Sequence, residues 1–221
     1  MKILSKILLI CAMALPMLTG CGRVKSIFGG GSDIKNRIEM QARREASKGF
    51  AVGKMLPKGK KTVLVVSPGN KDNLFIKRLK TAFEKQYGDT LEIVELELGK
   101  TSDYGDLTVT AKDVDKALAK AAGAEIILFY DTFPADYRKL GTYDKENVKY
   151  FLFDTGVADI SRIGKEIKSE NGKIVGILMS RYNTGIKLSD PVEKDPQEAF
   201  DKRYIIIEKD NIDANFDTYF K

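Results

Sequence analysis

Short apolar runs rich in β-branched residues alternate along this chain with stretches of helical periodicity. That alternation limits its fold more than any other feature. Thr62 to Ser67 (TVLVVS) is apolar at consecutive positions, as a strand covered on both faces should be. A helix is predicted from Asn70–Asp72 through Gln86, with Phe75, Leu79, Ala82 and Phe83 on one stripe. Thr90 to Leu98 (TLEIVELEL) alternates, so it reads as a second, more exposed strand. Thr110 with Asp113 three residues on forms a capping box that opens a helix with Val114, Leu118 and Ala121 inward. Glu125 to Tyr130 and Val148 to Phe153 are the third and fourth strands. Ile160, Ile163 and Ile167 mark a helix stopping at Asn171-Gly172. Lys173 to Met179 is the fifth strand, Asp195-Pro196 opens a short helix to Phe200, and Arg203 to Ile207 is a sixth strand before a terminal segment. Such alternation predicts the α/β class, with a doubly wound, mostly parallel sheet of about five or six strands and helices on both faces. Residues 62–221 form one such domain, long enough to bury roughly 70% of its unfolded surface.

A different kind of segment precedes this body. Lys2 and Lys6 give a small cationic start, and Ile7 to Met17 is apolar but short of the roughly 20 residues that span a bilayer. The stretch therefore reads as a secretory signal. Leu18-Thr19-Gly20-Cys21 resembles the lipobox of bacterial lipoproteins, whereas Cys11 follows the bulky Ile10. The resemblance implies that residues 1–20 are cleaved and that the Cys21 sulfur receives a diacylglyceryl group. Two or three acyl chains hold a protein stably at a membrane, since each buried methylene contributes about 0.8 kcal/mol. Gly22 stands where lipoproteins kept at the inner membrane often have Asp, so the resemblance points to the outer membrane, facing the periplasm.

Charge separates residues 21–61 from the body. Arg23 to Lys61 holds 11 basic and 3 acidic residues, and Thr62 to Lys221 holds 24 basic and 28 acidic. A cationic helical stalk thus precedes a mildly acidic domain. Gly29-Gly30-Gly31 supplies a flexible break. Ser32 can cap a helix with Ile34, Ile38, Ala42, Ala46 and Phe50 at steps of four, leaving Lys35, Arg37, Arg43, Arg44 and Lys48 around the rest. Three placements are open to this helix: on anionic headgroups, as a solvated spacer, or packed on the body. The membrane is thus an expected partner, through Cys21 and the basic stalk. Nucleic acid is not, because the chain is exported and its body is acidic.

Composition removes most catalytic classes. The chain has no His and two Cys, which excludes Ser-His-Asp and Cys-His catalysis, His-ligated zinc and four-thiolate metal sites. It lacks G-x-x-x-x-G-K-[ST], G-x-G-x-x-G and G-x-S-x-G. A phosphoryl-accepting receiver fails too: the first strand ends in Ser67-Pro68 without acidic residues, and Arg181 stands where such domains carry Lys. No cofactor, metal or catalytic residue is expected.

In an open parallel sheet, ligands bind beyond the carboxyl ends of the strands. Four loops reach that edge: Ser67-Pro68-Gly69-Asn70, Asp131-Thr132-Phe133, Asp154-Thr155-Gly156 and Ser180-Arg181-Tyr182-Asn183. They make Ser67, Asn70, Asp131, Phe133, Asp154, Thr155, Arg181 and Tyr182 candidate contacts for a small polar ligand.

Val63 to Tyr87, Gly123 to Ile127 and Val148 to Gly156 resemble the amino-terminal lobe of type I periplasmic solute-binding proteins. There the first strand feeds an aromatic-bearing helix start that contacts the ligand, which adds Phe75 to the candidates. The chain departs from the family in having Asp72-Asn73-Leu74-Phe75 at the usual Asn-Pro-Phe-Phe-like signature, and in being too short for a second lobe. The expected function is a lipid-anchored, non-catalytic cell-envelope protein whose α/β domain binds a small polar solute or a protein partner. The alternative is a structural assembly subunit of an envelope complex. Behind both stands a carboxylate-dependent hydrolase using Asp131 and Asp154.

Overall fold

The computed structural model describes residues 31–97, 109–153, 159–187 and 189–220. Helix α1 (Gly31–Met55) leads into β1 (Thr62–Val66), α2 (Leu74–Tyr87), β2 (Leu91–Glu95), α3 (Ala111–Leu118) and β3 (Ile126–Tyr130). A single 3-10 turn, Tyr137–Lys139, precedes β4 (Lys149–Phe153). Then follow α4 (Ile160–Lys168), β5 (Ile174–Ser180), α5 (Pro196–Arg203), β6 (Tyr204–Glu208) and α6 (Ile212–Tyr219). By compactness the chain divides between Met40 and Gln41. In the first unit the described residues are helical, and Asp33 to Glu39 are exposed.

The second unit is a six-stranded sheet in the order β2-β1-β3-β4-β5-β6. Pairs from β2 through β5 are parallel, and β6 closes the far edge antiparallel to β5. Side chains alternate across the sheet with the strand period of two. In β1, Val63 and Val65 enter one core while Leu64 and Val66 enter the other. The same alternation divides Ile127 and Phe129 from Ile126 and Leu128, and Tyr150 and Leu152 from Phe151 and Phe153. Val114, Ile163, Ile167 and Ile212 cover the first face, so α3, α4 and α6 lie there. Val52, Leu56, Leu79, Phe83 and Phe200 cover the second, placing the end of α1 together with α2 and α5 on it. Strand β1 is buried throughout, whereas β2, with a neighbour on one side only, is half-buried at three of its five residues.

Gln41–Met55 of α1 is a core element, so packing on the body is the placement this segment adopts. Its buried stripe is Ala42, Glu45, Gly49, Val52 and then Leu56, not the expected line through Ala42, Ala46 and Phe50. A four-residue step overshoots the helical turn by about 40°, so a stripe drawn at that step drifts off the contact face; alternating steps of three and four hold it. Arg44, expected outside, is buried with it. Gly49 and Gly53 bring α1 against α2: a Cβ at these positions would lie 2.1 Å from the Leu79 carbonyl oxygen and 2.7 Å from that of Phe83.

Local signals read from sequence reappear as caps. Thr110 and Asp113 form the complete capping box of α3, and Asp195 caps α5. Helix α4 stops earlier than expected, at Lys168. Asn171-Gly172 instead belongs to a turn in which the Gly172 N–H donates to Ser169 O at 3.2 Å. Between β3 and β4 the chain is held to α4 by Glu166, which accepts from Arg138 (2.8 Å), Tyr143 (2.9 Å), the Lys173 N–H (3.2 Å) and Tyr137 (3.3 Å).

Candidate functional site

Strands β1 and β3 are neighbours whose chains continue to opposite sides of the sheet, β1 to β2 and β3 to β4. The segments that follow them cover opposite faces, α2 through Leu79 and Phe83 on one and the turn Tyr137–Lys139 through Tyr137 on the other, and a crevice opens beyond the carboxyl ends at this switch point. Asp131, the first residue after β3, adopts φ 55°, the left-handed region that Asp tolerates better than most residues. From there its carboxylate reaches the loop after β1. The Ser67 N–H donates to Oδ1 at 3.1 Å, and the Asn70 amide donates to Oδ2 at 2.5 Å. The loop is itself two successive turns, Asn70 N–H to Ser67 O (3.2 Å) and Asn73 N–H to Asn70 O (3.0 Å). Asn73 then caps α2 by accepting the Phe75 N–H at 2.8 Å. The Lys71 N–H donates to Glu95 Oε1 at 3.3 Å, tying the loop to β2.

Asp131 faces solvent, yet its carboxyl is raised above the ordinary 3.8. Loss of hydration is the dominant cause, and the hydrogen bonds from Ser67 and Asn70 oppose it. A carboxylate bonded to the Ser67 N–H, the Ser67 side chain and the Asn70 amide still has a lone-pair site for a further hydroxyl donor. Leu74, 46% exposed, follows the cap residue Asn73 at the start of α2. The arrangement suits recognition of a small polar molecule.

The structure brings Ser67, Asn70 and Asp131 together, with Phe75 half-buried in the first turn of α2. Phe133 points elsewhere: it packs edge-on against Phe129 (4.9 Å) and beside Tyr137 (5.0 Å), as part of the core under α3 and α4. Arg181 and Tyr182 follow β5, two strands from β3, or about 10 Å across the sheet. The Arg181 side chain donates to Tyr204 O at 2.8 Å, and Tyr182 stacks on Tyr219 at 5.0 Å. Asp154, Thr155 and Cys21 lie outside the described residues.

Sequence reasoning missed a polar cluster delivered by α1. Glu45, 1% exposed, accepts from Gln41 at 2.8 Å and pairs with Lys48 at 3.1 Å. The Lys48 ammonium lies 5.1 Å from the ring centroid of Tyr204 and 6.0 Å from that of Tyr130. Burial, with Glu45 close by, pushes the Tyr130 hydroxyl far above its ordinary range; burial also raises Tyr204. The available signal was the half-polar character of a helix with two glycines at a spacing of four, which marks a buried surface.

Beyond the opposite edge of the sheet, a cavity of 580 Å³ lies between the end of α3 and the approach to β4, lined by Ala121, Ala122, Gly123, Ala124, Thr142 and Val148 among others. Among the described residues no three His, Cys, Asp or Glu side chains are grouped to hold a metal ion, and no helix is long and apolar enough to cross a membrane.

No family model matches the chain, and no curated protein matches it either. Solved structures do. A carbohydrate transporter from Acidothermus cellulolyticus, in complex with myo-inositol, superposes with a TM-score of 0.50 at 16% identity, over 77% of this chain and 59% of that one. AraP, an arabinose-binding protein from Geobacillus stearothermophilus, gives 0.47 at 15% identity, over 79% and 62%. A periplasmic ribose ABC transporter from Conexibacter woesei gives 0.46 at 10% identity, over 80% and 60%. The chain thus spans about three fifths of the length of these proteins. The first of these superpositions shows that the α/β body shares its fold with that carbohydrate transporter.

Proposed function

We propose that this chain is a lipid-anchored, non-catalytic cell-envelope protein whose α/β domain binds a small polar solute at the β1–β3 crevice. The observation that carries the reading is Asp131, held in a left-handed conformation at the switch point with Ser67 and Asn70 on its two oxygens. The fold shared with a myo-inositol-bound transporter supports it, as does the absence of His for proton transfer. The test is a thermal-shift screen of the chain from Cys21 onward against sugars, amino acids and nucleosides. A native-state ligand at 100 times its Kd stabilises by about 2.7 kcal/mol. Asp131→Ala abolishes that shift while leaving the unliganded Tm within a few degrees.

A second reading, a structural subunit of an envelope assembly, is favoured by the mutual bonding of Asp131 and Asn70, which leaves fewer groups for a solute. Silence across the screen together with a co-purifying envelope protein selects it. Anchoring belongs to both readings. The Cys21 lipobox and the basic residues that follow support attachment through a diacylglyceryl sulfur, at the outer membrane facing the periplasm. Mass spectrometry of native material finds residues 1–20 gone and the added lipid on Cys21; a bare sulfur or a retained leader refutes it.

A further inference from the structure

At the β5–β6 end of the body, a second polar site stands apart from Ser67, Asn70 and Asp131. A cavity of 150 Å³, about five times the liquid volume of a water molecule, is lined by Arg44 from α1, Ser180 and Arg181 from the end of β5, Thr184 and Lys187 from the loop beyond, and Arg203 from α5. Among the described residues no carboxylate lines it. Two of its guanidiniums are buried, Arg44 at 6% and Arg203 at 9% exposure. Burying like charges around one void is costly without a counter-charge.

Both buried guanidiniums have partners on the protein. Arg203 pairs through Nη1 with Glu193, and donates through Nη2 to Pro191 O at 2.7 Å and through Nη1 to Ala199 O at 3.3 Å. Its buried Nε has no hydrogen-bond partner among the described residues. Arg44 donates to Gln41 Oε1 at 3.2 Å, beside Glu45. The Arg181 Nε bond to Tyr204 O fixes the plane of its guanidinium. Thr184 Oγ1 accepts the Ile186 N–H at 3.2 Å, which leaves its hydroxyl proton to donate. The Asp190 carboxylate accepts the backbone N–H of Lys187 at 2.8 Å, and among the described residues no ion pair joins it to the Lys187 ammonium.

We infer that this cavity is an anion site for a phosphate group, gripped by Arg181, Arg203, Arg44 and Lys187. Planar guanidinium forks match the paired oxygens of phosphate, and a lysine adds a point charge. The group could arrive on a soluble phosphate ester or on a lipid headgroup; the chemistry is shared. The inference does not depend on the crevice reading, since no residue is common to the two sites.

The test is thermal unfolding of the full chain in inorganic phosphate and in glycerol 3-phosphate, each against sodium chloride at matched ionic strength. Co-sedimentation with phosphatidylcholine vesicles, with and without phosphatidic acid, runs beside it. A saturable rise in Tm above the chloride control is the expected result. Lys187→Gln, at an exposed position, leaves the Tm without phosphate unchanged and weakens the response by about tenfold. Arg181→Gln, compared with its own Tm in chloride because it also loses the bond to Tyr204 O, weakens the response to a similar extent and guards against a misleading single variant. A response to free phosphate assigns a soluble ligand, and binding confined to phosphatidic acid vesicles assigns a headgroup. If neither probe exceeds its control, or both variants respond like the parent chain, the inference is overturned.

Discussion

Glu166 shows how burial and charge compete at a single residue. Burial alone would raise its carboxyl, but Arg138, the Lys173 N–H and Tyr143 outweigh that and hold it below the ordinary 4.5. A depressed carboxyl pKa contributes stability that is fully present above 4.5 and is lost as pH falls through the folded value. Glu166→Gln therefore lowers stability by about 1–3 kcal/mol at neutral pH. In urea titrations the gap between parent and variant should shrink below pH 4.5; a gap independent of pH would contradict the assignment. Asp131 has the opposite sign: its raised carboxyl favours the folded state most when protonated, so its ionisation costs stability as pH rises through the acid range. Thr110 is simpler, because its contribution is local. Thr110→Ala removes the capping box of α3 and costs about 1 kcal/mol, read as a shift in the denaturation midpoint. That cap was legible because both partners sit within four consecutive residues. The left-handed Asp131 was not legible, since nothing beside it in sequence announces the loop it must reach.

At the scale of elements, α1 is the most informative. Its glycines sit where the backbones of α1 and α2 nearly touch, and no side chain fits between them. Gly49→Ala should cost about 1–3 kcal/mol or more, although alanine is the better helix former, because overpacking outweighs propensity. Thermal melts of Gly49→Ala and Gly53→Ala would check this: an unchanged or raised Tm would mean that the two helices are not in contact in solution. Strands fared better than helices in the sequence reading. Inner strands such as β1 are short and buried on both faces, so the apolar run is their whole signature. The face a helix buries depends on what it meets. A four-residue step runs through Ala42, Ala46 and Phe50, but the contact with α2 selects Gly49 and Val52 instead.

For the whole molecule, the compact body begins at Gln41, well before the first strand. A chain beginning at residue 41 should unfold cooperatively in urea. One beginning at residue 62 loses Val52 and Leu56 from the core, at about 1.5–3 kcal/mol each, against a typical total of 5–15 kcal/mol. Comparable midpoints for the two chains would refute the role of α1. Alternating strands and helices, the caps of α3 and α5 and the exposed character of β2 were all written in short stretches of sequence, because periodicity and capping act over a few residues. The α/β class follows from them. Only tertiary structure decided the strand order, the antiparallel β6 and the meeting of Ser67 with Asp131, which are 64 residues apart. It also decided that Phe133 turns into the core and that Arg44 and Arg203 line one cavity. Such meetings are set by which strands pair and which faces the helices cover, and these depend on the free energy of the whole packed core, not on any local pattern.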